Sequence, residues 1–193
     1  DFLRHLREIC GDSLITDEPR LKVYETDGLT AKKQLPWIVA LPSSIEEVQA
    51  IVKLCDSYQV PVVARGAGTG LSGGAMPHAE GVLLSLAKFN NILDVDTDNL
   101  LATVEPGVTN LSMSDHVKKL GLYYAPDPSS QIACTIGGNV AENSGGVHCL
   151  KYGLTVHNVR KLKIISPQGE LYAVGSEAFD SAGFDLLALL HGS

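Results

Sequence analysis

Arg65-Gly-Ala-Gly-Thr-Gly-Leu-Ser-Gly-Gly74 is the stretch that decides the fold of this 193-residue chain. It has five glycines in ten residues and follows Pro61-Val-Val-Ala64, which has the pattern of a buried strand. Glycine at this density indicates a backbone with positive φ or one that approaches a ligand closely. Successive unhindered N–H groups form an anion nest, in which each hydrogen bond to a charged oxygen contributes about 1.5–3 kcal/mol. The stretch therefore predicts a pyrophosphate-binding loop; the alternative is a turn that only reverses the chain.

Two common nucleotide-binding motifs do not fit this loop. A Walker loop requires Gly-Lys-Ser/Thr, and no lysine lies between Arg65 and Lys88. Gly68-Thr-Gly-Leu-Ser-Gly73 does match GxGxxG, but Met76-Pro77-His78 and Gly81 follow where a dinucleotide-binding fold needs a long helix. We therefore expect the match to be accidental, which disfavours an NAD-dependent dehydrogenase.

Helix and strand patterns alternate around the loop and indicate an α+β fold. Predicted helices are one that ends at Gly11, one opened by the capping box Ser44-Ile-Glu-Glu47, and one over about Thr109–Leu120. Predicted strands are Trp37–Leu41, Pro61–Ala64, Val82–Leu86, Ile92–Asp96, Leu101–Val104, Val159–Ile165 and Leu171–Val174. We expect Ile92–Asp96 and Leu101–Val104 to pair as one hairpin, and Val159–Ile165 and Leu171–Val174 to pair as another. We expect a lead-in over residues 1–34 and one domain over 35–193, with subdomains at about 35–105 and 106–193.

Composition excludes several classes of partner. A net charge of −7 leaves no basic surface for nucleic acid or an anionic membrane. Apolar runs are too short to span a bilayer and the N-terminus has no signal-peptide pattern, so we expect a cytoplasmic protein. Four cysteines without CxxC spacing predict free thiols, and the histidine spacing predicts no metal site.

A second glycine-rich segment is Tyr124-Ala-Pro-Asp-Pro-Ser-Ser-Gln-Ile-Ala-Cys-Thr-Ile-Gly-Gly-Asn-Val-Ala-Glu-Asn-Ser-Gly-Gly146. It combines small residues, hydroxyls and two asparagines with weak secondary-structure propensity. Such a segment suits a planar polar ligand that lies on the backbone. Two ligand-type loops in one chain make a mere chain reversal at the first loop a weaker explanation.

These two loops, together with VEPGV at Val104–Val108, resemble FAD-linked oxidases of the vanillyl-alcohol oxidase type. Within that group they are most similar to the large flavoprotein subunits of glycolate oxidases. The resemblance covers almost the whole chain. It implies two α+β subdomains that clamp an extended FAD, with the pyrophosphate on the first loop and the isoalloxazine near the second.

The resemblance also implies cofactor contacts at the matching positions. In the first loop these are Arg65, Gly66, Ala67, Gly68, Thr69, Gly70 and Ser72. In the second loop they are Pro128, Ser129, Ser130, Gly137, Gly138, Asn139, Ala141, Asn143 and Gly145. Some relatives attach the flavin covalently through a histidine, but Thr69 stands there and no cysteine aligns with the other attachment site, so we expect noncovalent FAD. Arg65 could neutralise phosphate or form a salt bridge to a carboxylate.

Four further residues near the second loop have two interpretations each. Cys134 and Cys149 lie close to the implied flavin, but buried unpaired cysteines usually act as small apolar residues. His148 and His157 flank Tyr152 and could face an active site, or each could satisfy a local hydrogen bond.

The implied activity is oxidation of a 2-hydroxy acid such as glycolate or D-lactate, with hydride passing to flavin and electrons to a downstream acceptor. Companion electron-transfer subunits would place such a protein at the membrane periphery. The resemblance locates the last FAD loop and the substrate domain beyond Ser193, so no catalytic residue is assigned here and we expect this stretch alone to be inactive. The alternative is a flavin-binding accessory subunit that turns over no substrate.

Overall fold

The computed structural model describes residues 1–176 and 183–192. The helices are α1 (Phe2–Cys10), α2 (Glu18–Leu21), α3 (Ile45–Ser57), α4 (Asn110–Val117), α5 (Ile136–Glu142), α6 (Cys149–Tyr152) and α7 (Leu186–Leu190). The strands are β1 (Leu14–Ile15), β2 (Ile38–Ala40), β3 (Val62–Arg65), β4 (Val82–Ser85), β5 (Ile92–Asp96), β6 (Leu101–Val104), β7 (Lys161–Ile165) and β8 (Leu171–Gly175). This mixture confirms the predicted α+β class.

Backbone contacts divide the chain into two compact units. Unit 1 comprises residues 1–89 and 165–171, and unit 2 comprises residues 90–164 and the chain from 172 onward. The sequence predicts boundaries at residue 34 and at about residue 105, and these boundaries stay a prediction.

Unit 1 is built on a four-stranded sheet in the order β1-β2-β4-β3. Strand β1 is antiparallel to β2, whereas β4 is parallel to both β2 and β3. Because side chains alternate across a strand, Ile38 and Val82 pack on the face covered by α1 and α3, while Val39 and Leu83 belong to a second cluster. The lead-in therefore contributes both a strand and a helix to this unit.

The position of β3 differs from the sequence prediction. The apolar run Pro61–Ala64 predicted a buried strand, but β3 lies at the edge of the described sheet and Val62 and Ala64 are exposed. Strand β4 has the central place, and all four of its residues are buried. An apolar run cannot by itself distinguish a central strand from an edge strand.

Helix α3 begins where the sequence predicted. The Ser44 hydroxyl accepts a hydrogen bond from the Glu47 backbone N–H at 3.2 Å. The Glu47 carboxylate accepts from the backbone N–H of Ser43 at 2.7 Å, one residue earlier than a standard capping box. The apolar spacing of this helix predicts Tyr58 on its buried face, but Tyr58 follows the helix and is 42% exposed.

Unit 2 contains the predicted hairpin of β5 and β6, which pair antiparallel, and α4, whose N-cap is Thr109. Val108, Met113 and Val117 form its buried core. The second glycine-rich segment is not irregular throughout, as its composition suggested, because α5 forms within it.

Strands β7 and β8 pair with each other as predicted, and the turn between them contains Gly169 at φ +76°. In unit 1 this turn contacts α3: the Gln49 amide donates to the Gly169 carbonyl at 2.8 Å, and Lys53 pairs with Glu170 at 2.9 Å. Within the described residues, no helix is long and apolar enough to cross a membrane.

Candidate functional site

The first loop joins the end of β3 to β4 without a helix. Turns occupy residues 74–75 and 79–80, and β4 begins at Val82. The long helix of a dinucleotide-binding fold is therefore absent between these two strands, and the expectation that the GxGxxG match is accidental is confirmed.

Backbone donors in the first loop remain available. Among the described residues, none accepts a hydrogen bond from the backbone N–H groups of residues 66–71. Gly68 has φ +71°, a conformation that glycine adopts without the cost a side chain would impose. A short run of free N–H groups after a strand has the chemistry of an anion nest, so the loop fits a pyrophosphate.

Arg65 turns its guanidinium into the protein. Its side chain is buried, and Nη1 donates to the carbonyl oxygens of Tyr24 at 3.3 Å and Ala75 at 3.4 Å. The guanidinium carbon lies 5.7 Å from the centroid of the Tyr24 ring. A Cβ built on Gly68 would lie 2.4 Å from Nη2, so this glycine lets the loop rest on the guanidinium.

Burial lowers the pKa of Arg65, and the charge of Asp27 acts in the opposite direction. Arginine nevertheless stays protonated, because its ordinary pKa lies far above neutral pH. Neither role considered for Arg65 is observed directly: among the described residues it forms no ion pair with a carboxylate, and Asp27 acts on it only as a nearby charge.

A short segment of the lead-in, residues 24–29, supports the first loop; we call it the brace segment. Asp27 is 5% exposed, and its Oδ1 accepts from the Leu29 backbone N–H at 2.8 Å. Its Oδ2 has no hydrogen-bond partner among the described residues. A Cβ on Gly28 would lie 2.5 Å from the carbonyl oxygen of Gly70, so the two backbones touch.

The second loop uses most of its backbone donors internally. Ile136 donates to the carbonyl of Val108, and Gly137 donates to the carbonyl of Pro106, both at 2.8 Å. Gly138 donates to the hydroxyl of Thr135 at 3.2 Å, which completes the N-cap of α5. The VEPGV segment thus accepts hydrogen bonds from the first turn of α5. No backbone N–H group at the start of this helix is free to bind an anion.

Glycines of the second loop are needed for packing inside unit 2. A Cβ on Gly137 would lie 2.7 Å from Cβ of Pro106, and one on Gly145 would lie 2.5 Å from a methyl carbon of Leu154. A Cβ on Gly146 would overlap the Asp127 carbonyl at 2.1 Å. Close approach of the chain to itself therefore explains these glycines without a ligand.

The polar side chains of the second loop are also directed inward. Asn143 accepts from the Val156 backbone N–H at 3.0 Å and caps the end of α5 with φ +48°. Asn139 is almost fully buried, and its amide nitrogen has no hydrogen-bond partner among the described residues. It lies beside Cys134, whose pKa is raised by burial and partly lowered by hydrogen bonds to neighbours that include Ser130.

His148 and His157 both make local hydrogen bonds. His148 Nδ1 lies 2.6 Å from Asp127 Oδ2, and its backbone N–H donates to the same carboxylate at 3.3 Å. His157 Nδ1 accepts from the Leu154 backbone N–H at 3.0 Å. The Asp127 contact joins the two ends of the second loop, so the local interpretation of these histidines agrees with the structure.

Sequence reasoning placed the loop residues but missed their supports. Asp27 and Gly28 precede the first loop by nearly forty residues, and no periodic pattern links them to it. The only available signal was the Asp-Gly dipeptide, which marks a turn but not its partner. Asp127 was quoted within the second loop without a role. Within the described part of the chain, no group of three or more metal-ligating side chains occurs.

A lysine-free nest of backbone donors after a strand, without a following helix, fits neither a Walker nor a Rossmann loop. The chain belongs to the FAD binding domain family, whose model matches residues 36–175. FAD is thus the cofactor, and noncovalent binding is consistent with the family.

Curated relatives are longer than this chain. It is 55% identical over 192 residues to a glycolate oxidase subunit, GlcD, of Escherichia coli (strain K12), covering 99% of the chain and 38% of the relative. A D-lactate dehydrogenase of Anaerostipes hadrus is 41% identical over 195 residues, which is 100% of this chain and 41% of the relative. Among solved structures, an alkyldihydroxyacetonephosphate synthase superposes with a TM-score of 0.83 at 25% identity, over 99% of this chain and 37% of the other.

Proposed function

We propose that this chain holds FAD in a flavin-dependent oxidoreductase acting on small 2-hydroxy acids. The observation that carries the proposal is the run of backbone N–H groups at residues 66–71 without acceptors among the described residues. Several such donors converging on one anion replace the lysine that other phosphate loops use. The relatives named as a glycolate oxidase subunit and a D-lactate dehydrogenase support the substrate class.

The two loops have different parts in this proposal. The pyrophosphate lies on the first loop, where it accepts hydrogen bonds from the backbone, and contacts are made at Gly66, Ala67, Gly68, Thr69, Gly70 and Ser72. The isoalloxazine faces the second loop. There the Ser129 side chain is exposed, whereas the amide nitrogen of Asn139, which has no partner among the described residues, is buried.

Other residues of the second loop act indirectly. Gly137, Gly145 and Asn143 have close internal contacts, so their effect on the flavin comes through the shape of the loop. The same role is proposed for the remaining predicted positions, Pro128, Ser130, Gly138 and Ala141.

Bound FAD supplies the two-electron acceptor for this reaction, in which a 2-hydroxy acid loses a hydride from C2 and a proton from the hydroxyl to become the 2-oxo acid. We further propose companion subunits that take up the electrons, because one relative is named as a subunit. Association of such a complex with a membrane surface would occur through those partners.

The test uses the protein purified with all of its natural sequence, under anaerobic conditions. Glycolate, D-lactate and D-2-hydroxyglutarate are added separately, L-lactate serves as a control, and the absorbance of oxidised flavin is followed. Bleaching by at least one of the first three acids is expected. Retained flavin that none of them reduces would favour the accessory subunit, and protein purified without FAD that also fails to bind added FAD would contradict the proposal as a whole.

A further inference from the structure

Asp27 presents a charge problem for the first loop. It is a buried carboxylate near a loop that binds a pyrophosphate in the proposed function, and like charges repel. Simple electrostatics would therefore favour a neutral residue at this position. A buried carboxylate also has a desolvation cost that requires a compensating partner.

Arg65 joins the brace segment to the loop, and both it and Asp27 are less than one-tenth exposed. The charge of Asp27 acts to raise the pKa of Arg65, although no direct ion pair joins the two side chains among the described residues. The Nη1 atom of Arg65 donates hydrogen bonds to the carbonyl oxygens of Tyr24 and Ala75. These contacts join the brace segment to the part of the loop that follows Gly74.

The pair lies directly against the backbone that carries the free donors. Gly68 rests on the guanidinium, and Gly28, next to Asp27, touches the carbonyls of Thr69 and Gly70. Leu29, which donates to Asp27, packs within 3.4 Å of the position of a Cβ on Gly73. These contacts therefore support the backbone of the nest at residues 68–70.

We infer that Asp27 and Arg65 are coupled positioning residues for the pyrophosphate loop, which hold its N–H groups in place through the brace segment. This inference rests on the proposed function. The arginine charge is balanced by Asp27 and serves the loop, and the phosphates are bound by backbone donors. The negative charge of Asp27 is then required for binding an anion, although taken alone it opposes binding.

The direction in which one substitution changes the affinity for FAD tests the inference. Asp27→Asn keeps the shape of the side chain and removes its charge, so electrostatic repulsion alone predicts tighter FAD binding, whereas loss of positioning predicts weaker binding. We expect FAD affinity to fall at least about tenfold in Asp27→Asn and in Arg65→Gln. Because the two residues act together, the double variant should have the same FAD affinity as the single variant that binds FAD less tightly. Riboflavin, which lacks the diphosphate, should bind all variants equally.

Controls separate this inference from the proposed function and from general unfolding. Asp17→Asn breaks an exposed pair with Arg20 and should leave both ligands unaffected. Wild-type protein that fails to bind FAD would contradict the proposed function. Wild-type binding with unchanged or tighter FAD affinity in Asp27→Asn would overturn the inference alone, as would additive losses in the double variant. An equal loss of riboflavin would also overturn it, because the effect would then be on the fold.

Discussion

The first glycine-rich loop keeps its backbone N–H groups at residues 66–71 without acceptors in the described structure, whereas the second commits most of its donors to its own unit. The first loop has its charged side chain, Arg65, turned inward. The second contains a helix, α5, whose first turn is closed by Thr135 and by the carbonyls of the VEPGV segment. Glycine therefore exposes backbone to a ligand in the first loop and allows backbone to pack on backbone in the second.

The comparison also shows two ways of fixing a loop. Each loop is held through an aspartate and a glycine whose Cβ would collide with backbone: Asp27 precedes Gly28, which touches the first loop, and Asp127 contacts Gly146. Asp27 is buried and accepts a hydrogen bond from the Leu29 backbone N–H, while Asp127 is bonded to the exposed His148. Burial makes the first arrangement more costly to disturb, because a buried carboxylate has lost its hydration.

Gly68→Asp should produce the largest effect, a loss of FAD affinity of about 100-fold or more, if the first loop binds the diphosphate. The new carboxylate would repel phosphate, and its Cβ would lie against the Arg65 guanidinium at a position with φ +71°. Fluorescence titration of the apoprotein with FAD measures the change. Gly121→Asp is the matched control, since Gly121 has φ +74° with no neighbour within 4 Å. Normal FAD content in Gly68→Asp would contradict the role of the first loop.

The second loop is tested by two adjacent glycines of α5. Gly137→Ala should destabilise the protein by roughly 2 kcal/mol, because its Cβ would lie 2.7 Å from Pro106. Gly138→Ala meets only the Thr135 hydroxyl, at 3.2 Å, and alanine favours a helix, so its stability should change little. Urea unfolding of both variants gives the difference. Equal stability of the two would show that glycine packing is not what shapes this loop.

The sequence predicted more of the fold than of the supports beneath the loops. Strand β4 and helix α3 were found because apolar periodicity and a Ser44 cap are local signals. The exposure of β3 depends on which strand takes the centre of the sheet, and that order is a tertiary property. Likewise, Gly137 stays a flavin contact predicted from the resemblance, but its packing against Pro106 could not be predicted, because a glycine needed by a ligand and one needed by neighbouring backbone look the same in a sequence.

The smallest expected effect is a difference in cysteine reactivity, which tests whether the second loop excludes solvent from Cys134. Burial raises the pKa of Cys134, so little thiolate forms at pH values near 8, and the side chain is inaccessible as well. Cys149 is only partly buried. We expect iodoacetamide to modify Cys149 at least about ten times faster than Cys134 in the folded protein, as measured by peptide mass spectrometry.

Cys10 and Cys55 are internal references for this labelling. Burial raises their pKa values to about 11 and about 12, so both should stay unmodified in the folded protein even when the pH is raised to about 9. In urea all four thiols should react at similar rates, which controls for sequence effects on reactivity. Fast labelling of Cys134 while these two stay protected would mean that the second loop opens locally. The contrast between an open first loop and a closed second loop would then hold only for the average structure.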